Sequence, residues 1–460
     1  MKHIHIRHKY IDKSLTEGAI WKKLLIFFLP IAAGTCIQQL YNAVDGLIVA
    51  KYVGTAALAA VGGSSSQIIN LLIGFFVALT SGASVVIAQT YGAGKDDDVR
   101  RASGNAITVC LLIGAVLTVI GLLFSRQMLE LLRTPEDTLD SAEIYLKIYF
   151  SGVVFILVLN MESNMLRAVG DSTSPFIFML TGCLSNILMD FVFVKYLHWG
   201  VAGVAVATVL AQVLNTVLLT VRLFTAKASY RLSLSDLKLK GRYIKRMMQL
   251  GIPAGLQSTM YSVSNMIIQV GVNSLGTVVV ASWAMSGKTD GIYWAVSSAL
   301  GAAITTFAGQ NIGAGRMDRV RGCMKQGMVL SMIITVAISS LLLIFGIPLL
   351  NILTDDQAVV KTTYLIMWYF VPFYVVWTVI EVVSGILRGM GDAVRPVVII
   401  GLGICLVRIL WIAFAFRWSE TLDTLCMGYI VSWFITAAAL TVYYFVRRKK
   451  WAVLKGAGAF

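Results

Sequence analysis

One six-residue stretch, Leu166-Arg167-Ala168-Val169-Gly170-Asp171, returns in nearly the same form as Leu387-Arg388-Gly389-Met390-Gly391-Asp392, with an offset of 221 residues. A second stretch, Gln89-Thr90-Tyr91-Gly92-Ala93-Gly94, returns as Gln310-Asn311-Ile312-Gly313-Ala314-Gly315 with the same offset. Two motifs that keep one register over this distance are typical of an internal duplication. The chain is therefore predicted to contain two homologous halves.

Shorter landmarks keep nearly the same register. Gly54-Thr55 reappears as Gly276-Thr277, and Pro30 reappears as Pro253, so both offsets lie within two residues of the first. In an apolar chain, such a duplication indicates a transporter whose substrate path lies between two related halves.

The composition is that of a membrane protein. Of 460 residues, 58% are hydrophobic and only 13% are charged, which is about half the charged fraction of a soluble chain. A helix needs about 20 mostly apolar residues to cross a bilayer. Twelve segments meet this requirement, at about residues 20–46, 57–80, 103–125, 144–166, 174–197, 200–224, 247–272, 278–306, 323–349, 362–386, 394–416 and 424–446. We therefore expect an all-α polytopic membrane protein with twelve transmembrane helices in two homologous six-helix bundles.

The basic residues indicate how these helices are oriented. If the N-terminus lies in the cytoplasm, most of the 38 Lys and Arg residues fall in cytoplasmic segments. Only seven fall in external segments: Lys51, Arg126, Arg133, Lys147, Lys195, Lys361 and Arg417. This asymmetry follows the positive-inside rule, so both termini are predicted to be cytoplasmic. Nucleic-acid binding is not expected despite the net charge of +15, because no soluble basic face is available to carry it.

The same pattern divides the chain into segments. We expect an N-terminal tail at 1–18, a six-helix lobe at 19–226, a basic cytoplasmic linker at 227–246, a second six-helix lobe at 247–446 and a C-terminal tail at 447–460. The linker is predicted to lie on anionic lipid headgroups. Because each repeat has an even number of spans, both halves should share one orientation in the membrane.

Both repeated motifs fall at predicted cytoplasmic ends of helices. The glycines of the first motif can end spans 2 and 8 and permit a tight turn. The arginine of the second can cap carbonyls and pair with the aspartate at the ends of spans 4 and 10. A structural role and a role in a cytoplasmic gate both remain open for the motif residues, which are Gln89, Gly92, Arg167, Asp171, Gln310, Gly313, Arg388 and Asp392.

Together with Val44-Asp45-Gly46 in the first span and Trp199-Gly200-Val201-Ala202-Gly203 before the sixth, these motifs resemble the multidrug and toxic compound extrusion (MATE) family. The resemblance covers the chain from Trp21 to about Arg448 and is nearest to the bacterial DinF-like and NorM-like branches. It implies two bundles around a V-shaped cavity, alternating access, and export driven by inward flow of protons or sodium ions. We expect a small organic cation as substrate, a bacterial inner-membrane location and a monomer, with no cofactor beyond the coupling ion.

Ionisable residues within the predicted spans are candidates for function, because an ionised carboxylate at the bilayer centre costs about 2.5–3.5 kcal/mol. Five acids fall there: Asp45, Glu162, Asp190, Asp290 and Glu381.

Asp45 belongs to a polar stripe in span 1. Gln38, Tyr41, Asn42 and Asp45 are spaced by three or four residues, so they share one helix face. Such a face lines a cavity or a neighbouring helix and does not point at lipid. We therefore place Gln38, Tyr41 and Asn42 in the substrate cavity.

Span 5 carries a second polar pair, Asn186 and Asp190, four residues apart on one face. The family resemblance assigns ion coupling to Asp45, Asn186 and Asp190 by matching position, and a bending role in the first helix to Pro30. In our hypothesis the two carboxyl groups take up protons from outside and release the substrate.

The second half lacks both acids. Shifting span 1 onto span 7 places Asp45 on Ile267 or Ile268, and shifting span 5 onto span 11 places Asp190 at Trp411–Ala413. Acids that served only to hold a bundle together would be needed in both copies. We infer that the coupling site lies in the first half alone, with a buried hydrogen-bonded polar cluster as the alternative.

The second half has charges of its own. Lys288 and Asp290 fall in span 8, Glu381 in span 10 and Arg408 in span 11. We expect neutralising pairs, either Asp290 with Arg408 or Lys288 with Glu381.

Apolar and acidic residues of the second half are expected in the substrate cavity: Met260, Tyr261, Trp283, Asp290 and Glu381. Methionine and aromatic side chains adapt to flat apolar cations. The resemblance would also place acids near Tyr261 in a sodium-coupled member. None is present there, which favours protons.

Other functional classes fit less well. The chain has no nucleotide loop, no Ser-His-Asp arrangement and no cluster with metal-ligand spacing in its spans, so neither an enzyme nor a metal site is expected. The main alternative is a related flippase for lipid-linked glycans, which would require a cationic cavity for phosphates. A channel is a third possibility, against which the duplicated layout argues.

Overall fold

The computed structural model describes residues 15–226, 228 and 230–454, and within these residues it is helical without a strand. The first part of the predicted N-terminal tail, residues 227 and 229 of the predicted linker and residues 455–460 lie outside the described residues. The lobe boundaries predicted from the sequence stay a prediction.

Eight helices make up the first half of the chain, and they form six spans. They are α1 (Ile20–Tyr52), α2 (Thr55–Gly62), α3 (Ser64–Gly92), α4 (Asp96–Leu131), α5 (Glu136–Ser151), α6 (Val153–Ala168), α7 (Thr173–Asp190) and α8 (Gly200–Thr225). Helices α2 and α3 together form the second span, and α5 and α6 form the fourth with a bend of 49° between them. A π-helical segment, Phe191–Tyr196, extends α7.

The second half also forms six spans. Its helices are α9 (Gly241–Ser274), α10 (Thr277–Gly313), α11 (Met317–Ile344), α12 (Gly346–Leu353), α13 (Gln357–Phe370), α14 (Tyr374–Gly389), α15 (Val394–Ile400), α16 (Val407–Trp411) and α17 (Leu422–Leu454). Two π-helical segments, Gly401–Leu406 and Ile412–Phe416, flank α16. Helix α13 continues into α14, and α15 and α16 together form the eleventh span.

The twelve predicted spans correspond to helices of the described chain. Ten stretches are long and apolar enough to cross a membrane, and the bent pair α5–α6 makes an eleventh. Helix α9 is the twelfth. Its 34 residues are more than long enough to cross, but glutamines, serines and an asparagine make it more polar than the others.

Backbone conformation repeats along the chain with the register of the sequence motifs. Three pairs of glycines have similar positive φ angles at equivalent turns: Gly54 and Gly276 (111° and 94°), Gly94 and Gly315 (69° and 70°), and Gly170 and Gly391 (91° and 85°). The π-helical segments that begin at Phe191 and Ile412 are also 221 residues apart. The duplication predicted from the sequence is therefore present in the fold.

By internal contacts the chain divides into two compact units. Among the described residues, unit 1 contains Leu25–Ser258, Gly309–Arg316 and residues 15–18. Unit 2 contains Ala19–Leu24, Thr259–Ala308 and the described residues from Met317 to Leu454. Each unit is described by itself below.

The first repeated motif forms a close helix crossing inside unit 1. Helix α3 ends at Gly92 and α10 ends at Gly313, as predicted. A Cβ atom at Gly92 would overlap the carbonyl oxygen of Gln310, and one at Gly313 would overlap that of Gln89. Only glycine permits two backbones to approach this closely.

Gln310 of this motif is fully buried and joins three segments of unit 1. Its Nε2 donates to the Ala168 carbonyl oxygen at the end of α6 (2.7 Å). Its Oε1 accepts from the Leu15 amide (3.1 Å). These contacts support the structural interpretation of the motif, and a role in a gate stays a prediction.

The aspartates of the second motif, Asp171 and Asp392, form side-chain contacts with residues that follow α6 and α14. Asp171 accepts hydrogen bonds from the Ser174 amide (3.1 Å) and hydroxyl (2.8 Å), which starts α7. Asp392 forms ion pairs with Arg395 (3.3 Å) and Arg447 (3.5 Å). The pairing predicted within the second copy of the motif is wrong, because Arg388 turns back along α14 to Glu381 instead.

Candidate functional site: a carboxyl pair in unit 1 and a cavity in unit 2

Asp190 is fully buried in unit 1, at the point where α7 changes to the π-helical segment Phe191–Tyr196. Neither of its carboxylate oxygens accepts a hydrogen bond from a donor in the described chain. Short π-helical segments inside α-helices are frequent at functional sites. A carboxylate with two unsatisfied oxygens in such a place is costly unless a ligand or proton neutralises it.

Asp45 of α1 lies directly beside Asp190. Its carboxyl group is within hydrogen-bonding reach of the Asp190 carboxyl group, and its own Oδ1 is buried without a donor among the described residues. Two ionised carboxylates at this distance repel each other, and a shared proton removes the repulsion. The pair can therefore bind and release a proton as a unit.

Asn186 completes the polar group, one helical turn before Asp190. Its side chain is 1% exposed, and neither its oxygen nor its nitrogen has a hydrogen-bond partner in the part of the chain that the structure describes. The three residues assigned to ion coupling by resemblance thus meet on two helices of unit 1. They carry five unsatisfied buried atoms between them.

Tyrosines surround the pair. The Tyr41 hydroxyl, one turn before Asp45, is within hydrogen-bonding reach of Thr208 in α8. Tyr145 and Tyr149 of α5 lie nearby with ring centroids 6.0 Å apart, and Tyr145 packs in an apolar cluster beside the site. Thr208 and Tyr145 were not predicted from the sequence, because only the fold brings α5 and α8 against α1.

The other predicted residues of α1 are placed as follows. Gln38 and Asn42 are exposed on the same helix as the half-buried Tyr41. Pro30 lies inside α1, which continues on both sides of it. Their assigned roles, cavity lining and helix bending, stay predictions. Among the described residues, no group of three or more His, Cys, Asp or Glu side chains could hold a metal ion.

Unit 2 contains a cavity of about 490 Å³, and eight of its 14 lining residues are aromatic. Tyr261, Trp283 and Asp290, three of the residues predicted for the substrate cavity, line it. Met260 and Glu381 do not. Met260 packs against Gly401 of a π-helical segment, and the Glu381 carboxyl lies against Gly301 of α10.

Neither ion pair predicted for the second half is formed. Glu381 pairs with Arg388, seven residues along the same helix, with 2.9 Å between Oε1 and Nη2. Lys288 is exposed. Asp290 and Arg408 both line the cavity, yet no ion pair joins them. The prediction failed because residues seven apart also share a helix face, so a partner on the same helix was available.

The duplicated twelve-helix bundle, with buried carboxyl groups in its spans, defines a polytopic membrane transporter built from two homologous halves. The MatE family model matches residues 30–192 and again residues 253–413, once in each half. The chain therefore belongs to the MatE family, the multidrug and toxic compound extrusion transporters, which confirms the resemblance seen in the sequence.

Relatives and solved structures agree with this assignment. The chain is 29% identical to "Probable multidrug resistance protein YpnP" of Bacillus subtilis, over 96% of this chain and 98% of the relative. It is 26% identical to "Probable multidrug resistance protein YoeA" of the same organism, over 96% and 97%. A structure described as MATE in the bent conformation superposes with a TM-score of 0.89 at 19% identity, covering 97% of this chain and 99% of that one.

Proposed function

We propose that this protein is a secondary active exporter of small organic molecules, which exchanges its substrate for protons by alternating access between its two halves. It acts as a monomer in the bacterial inner membrane, with both termini in the cytoplasm. Family membership and relatives named as multidrug resistance proteins support drug export. The charge asymmetry of the loops supports the orientation.

The observation that carries the coupling proposal is that the carboxyl groups of Asp45 and Asp190 lie within hydrogen-bonding reach of each other. Protonation from outside neutralises the pair, and loss of protons to the cytoplasm restores a net negative charge on α1 and α7. Helix α1 also carries Tyr41, whose hydroxyl is within hydrogen-bonding reach of Thr208 in α8, so a change in charge at Asp45 acts on a helix that packs beside α8. The pair thereby links proton binding to the position of α1.

The membrane potential sets how this exchange is driven. Moving one elementary charge across the membrane is worth about 2.3 kcal/mol per 100 mV. Exchange of one proton for one monovalent cation moves no net charge and draws on the pH gradient alone. Exchange of two protons for such a cation uses the potential as well.

Protons fit the pair better than sodium ions do. Sodium, like other hard cations, is bound by oxygen ligands that surround it, and Asp45, Asp190 and Asn186 could supply some of them. The carboxyl groups of Asp45 and Asp190 lie within hydrogen-bonding reach of each other, so one proton can bridge them, whereas a sodium ion would need further oxygen ligands around it. A shared proton satisfies this geometry.

The decisive experiment uses the protein in liposomes that contain a pH-sensitive dye, under separate proton and sodium gradients, with ethidium as substrate. We expect ethidium-dependent proton flux that is lost in Asp45→Asn, while membrane insertion is unchanged. Asp355→Asn is the matched control, because Asp355 is an exposed acid outside the site. Normal proton-coupled transport by Asp45→Asn would end the coupling proposal.

Two other outcomes redirect the proposal. Ethidium transport under the sodium gradient alone would show that the protein is an exporter coupled to sodium ions and not to protons. No flux under either gradient would favour the related flippase for lipid-linked glycans, which can be tested with pyrophosphate-linked lipids as ligands of the purified protein.

A further inference from the structure

We propose that Glu162 is a second proton-binding site of unit 1, which receives protons from the Asp45–Asp190 pair along a polar stripe of α8 and releases them to the cytoplasm. The inference rests on the proposed proton coupling and adds the route by which the proton leaves. Glu162 acts in it as a relay, whereas substrate release stays coupled to the carboxyl pair.

Glu162 is a buried acid that the bundle does not need. It belongs to α6, is 1% exposed, and its Oε2 has no hydrogen-bond partner in the described chain. Its Oε1 accepts from the Thr220 hydroxyl of α8 at 2.5 Å. The residue 221 positions further on is Val383, which is also 1% exposed, so the second half builds the same place with an apolar side chain. A buried carboxyl group inside a span that is not required for folding indicates a function.

The groups that face Glu162 suit both of its protonation states. Thr220 faces it from α8, and the Cys110 thiol of α4 lies close enough to interact with its charge. Among the described residues, no cation lies close enough to neutralise it. A threonine hydroxyl donates to an ionised carboxylate and accepts from a protonated one, so Thr220 can serve either state. Binding of a proton is therefore the means by which the charge of Glu162 is removed.

A polar stripe on α8 leads from the carboxyl pair to Glu162. It consists of Thr208, Gln212, Thr216 and Thr220. Residues four apart lie one turn above each other on a helix, so the stripe follows one side of α8. Its first member is within hydrogen-bonding reach of Tyr41, beside the pair, and its last is bonded to Glu162. At 1.5 Å per residue, the stripe is about 18 Å long.

A second polar side chain of α8 faces the helix that carries Asp190. Asn215 is 5% exposed, and its Oδ1 has no hydrogen-bond donor among the described residues. It lies against α7 at Gly182, one turn before Asn186, where a Cβ atom would overlap the Asn215 carboxamide. Buried polar atoms without a protein partner are the usual partners of buried water. Water held by Asn186 and Asn215 would join the pair to the middle of the stripe.

The path ends where α6 and α8 end. Glu162 precedes the end of α6 at Ala168 by six residues, or about 9 Å along the helix. Two residues beyond Thr220, the Arg222 side chain is 37% exposed and lies 4.0 Å from the Asp171 carboxylate. The charge asymmetry of the loops places these helix ends on the cytoplasmic side. A proton that leaves Glu162 therefore has a short way to a charged, accessible surface.

The transfer moves one proton and one negative charge. An O–H bond at the carboxyl pair breaks and one forms at the Glu162 carboxylate, through the hydroxyl groups and water between them. The pair becomes more negative and Glu162 becomes neutral. Glu162 then gives its proton to water at the cytoplasmic end of α6 and is ionised again.

The first test measures protonation of Glu162 without any transport. Infrared difference spectra of the purified protein in nanodiscs, recorded between acidic and alkaline pH, report the C=O stretch of buried carboxylic acids. We expect a pH-dependent band that persists when Asp45→Asn and Asp190→Asn are combined, shifts in Glu162→Asp and disappears in Glu162→Gln. If no pH-dependent band responds to either replacement of Glu162, the inference is overturned.

The second test measures the rate of ethidium-dependent proton flux in liposomes. Glu162→Gln should slow the flux about tenfold, because a positioned proton-transferring side chain is lost, while ethidium affinity and the number of protons per ethidium stay the same. Glu162→Asp should restore part of the rate, since a carboxyl group remains. Glu420→Gln, at an exposed glutamate outside unit 1, is the matched control and should behave as wild type.

Wild-type flux in a folded Glu162→Gln variant would overturn the relay. A changed number of protons per ethidium would overturn it as well, because Glu162 would then belong to the coupling site itself. If Glu162→Gln does not fold, Thr220→Val and Asn215→Leu test the same path, and wild-type flux in both would contradict it.

The two tests also separate this inference from the coupling proposal. A Glu162 band that titrates in a protein without Asp45-dependent flux would sink the coupling proposal and leave the proton-binding site. Asp45-dependent flux that is insensitive to Glu162→Gln would keep the coupling proposal and remove the relay.

Discussion

The first half carries a pair of buried acids at positions where the second half carries apolar core residues. Asp190 directly precedes the π-helical segment Phe191–Tyr196, and Trp411 directly precedes its counterpart, Ile412–Phe416. Asp45 aligns with Ile267 or Ile268, and the register of Pro30 with Pro253 selects Ile268, which is 2% exposed and packs with Val272, Phe416 and Leu425. The backbone is retained while the carboxyl groups are not, so the acids are not required to build the bundle.

The charged residues within the spans of the second half lie at positions that do not align with Asp45 and Asp190. Asp290 and Arg408 line the aromatic cavity of unit 2, whereas the acids of unit 1 lie beside each other. Trp411, at the position of Asp190, donates from Nε1 to the Thr424 carbonyl oxygen at 2.7 Å and so satisfies its only polar atom. The two halves share a fold and differ in chemistry, which is consistent with proton coupling in one and substrate selection in the other.

The sharpest way to break this comparison is to exchange residues between the aligned positions. Ile268→Asp buries an unpaired carboxylate in an apolar cluster and should cost about 3–5 kcal/mol, enough to lower the yield of folded protein severely. Asp45→Leu removes a carboxyl group whose Oδ1 is already unsatisfied, so it should be neutral or stabilising. Thermal melts of the purified variants measure both effects.

The reverse order of stability would show that the acid pair is structural. In that case Asp45→Leu would lower the melting temperature as much as a core substitution does, and Ile268→Asp would be tolerated. The buried hydrogen-bonded cluster, the alternative considered for Asp45 and Asp190, would then replace the coupling site.

Much of this comparison could be predicted from the sequence. The repeat register, the twelve spans and the helix ends at Gly92 and Gly313 follow from local patterns, and local patterns survive in the fold. The proximity of Asp45 and Asp190 could also be predicted, because both are acids inside apolar spans and each lies on a polar helix face.

The rest depends on contacts between distant segments, which a single sequence does not specify. The proximity of Thr208 to Tyr41 requires the packing of α8 on α1. Four charged residues in the second half allowed several pairings, and the observed one, Glu381 with Arg388, was not among those weighed. That Arg408 is held by Ser432 and Tyr429 instead of by an acid has no signature in the sequence.

A second test uses positions where the halves should respond alike. Gly92 and Gly313 each lie against the backbone of the opposite motif copy inside unit 1. Gly92→Val and Gly313→Val should each cost about 1–3 kcal/mol, because the added atoms force the ends of α3 and α10 apart. Gly62→Val is the control, since a Cβ atom there meets nothing within 4 Å.

Equal losses in the two variants, measured as shifts in melting temperature, would show that the motif is a symmetric structural element. A loss of transport in either variant at unchanged melting temperature would favour the gate interpretation instead.

The smallest expected difference concerns the glutamates of spans 4 and 10. Glu162 is 1% exposed and accepts a hydrogen bond from the Thr220 hydroxyl, whereas Glu381 forms its ion pair with Arg388. Glu381→Gln should destabilise by up to about 1 kcal/mol, because the pair is partly exposed and screened by solvent. Glu162→Gln can still accept from Thr220 and loses a carboxylate oxygen that has no donor in the described chain, so it should be neutral or slightly stabilising.

The salt dependence of stability should also differ between the Glu162 and Glu381 variants. Raising the ionic strength should reduce the effect of Glu381→Gln, since a partly exposed ion pair is screened, and should leave that of Glu162→Gln unchanged. If Glu162→Gln instead abolished transport at unchanged stability, a third acid of the first half would join Asp45 and Asp190 in the coupling site. The chemical difference between the halves would then be larger than the carboxyl pair alone indicates.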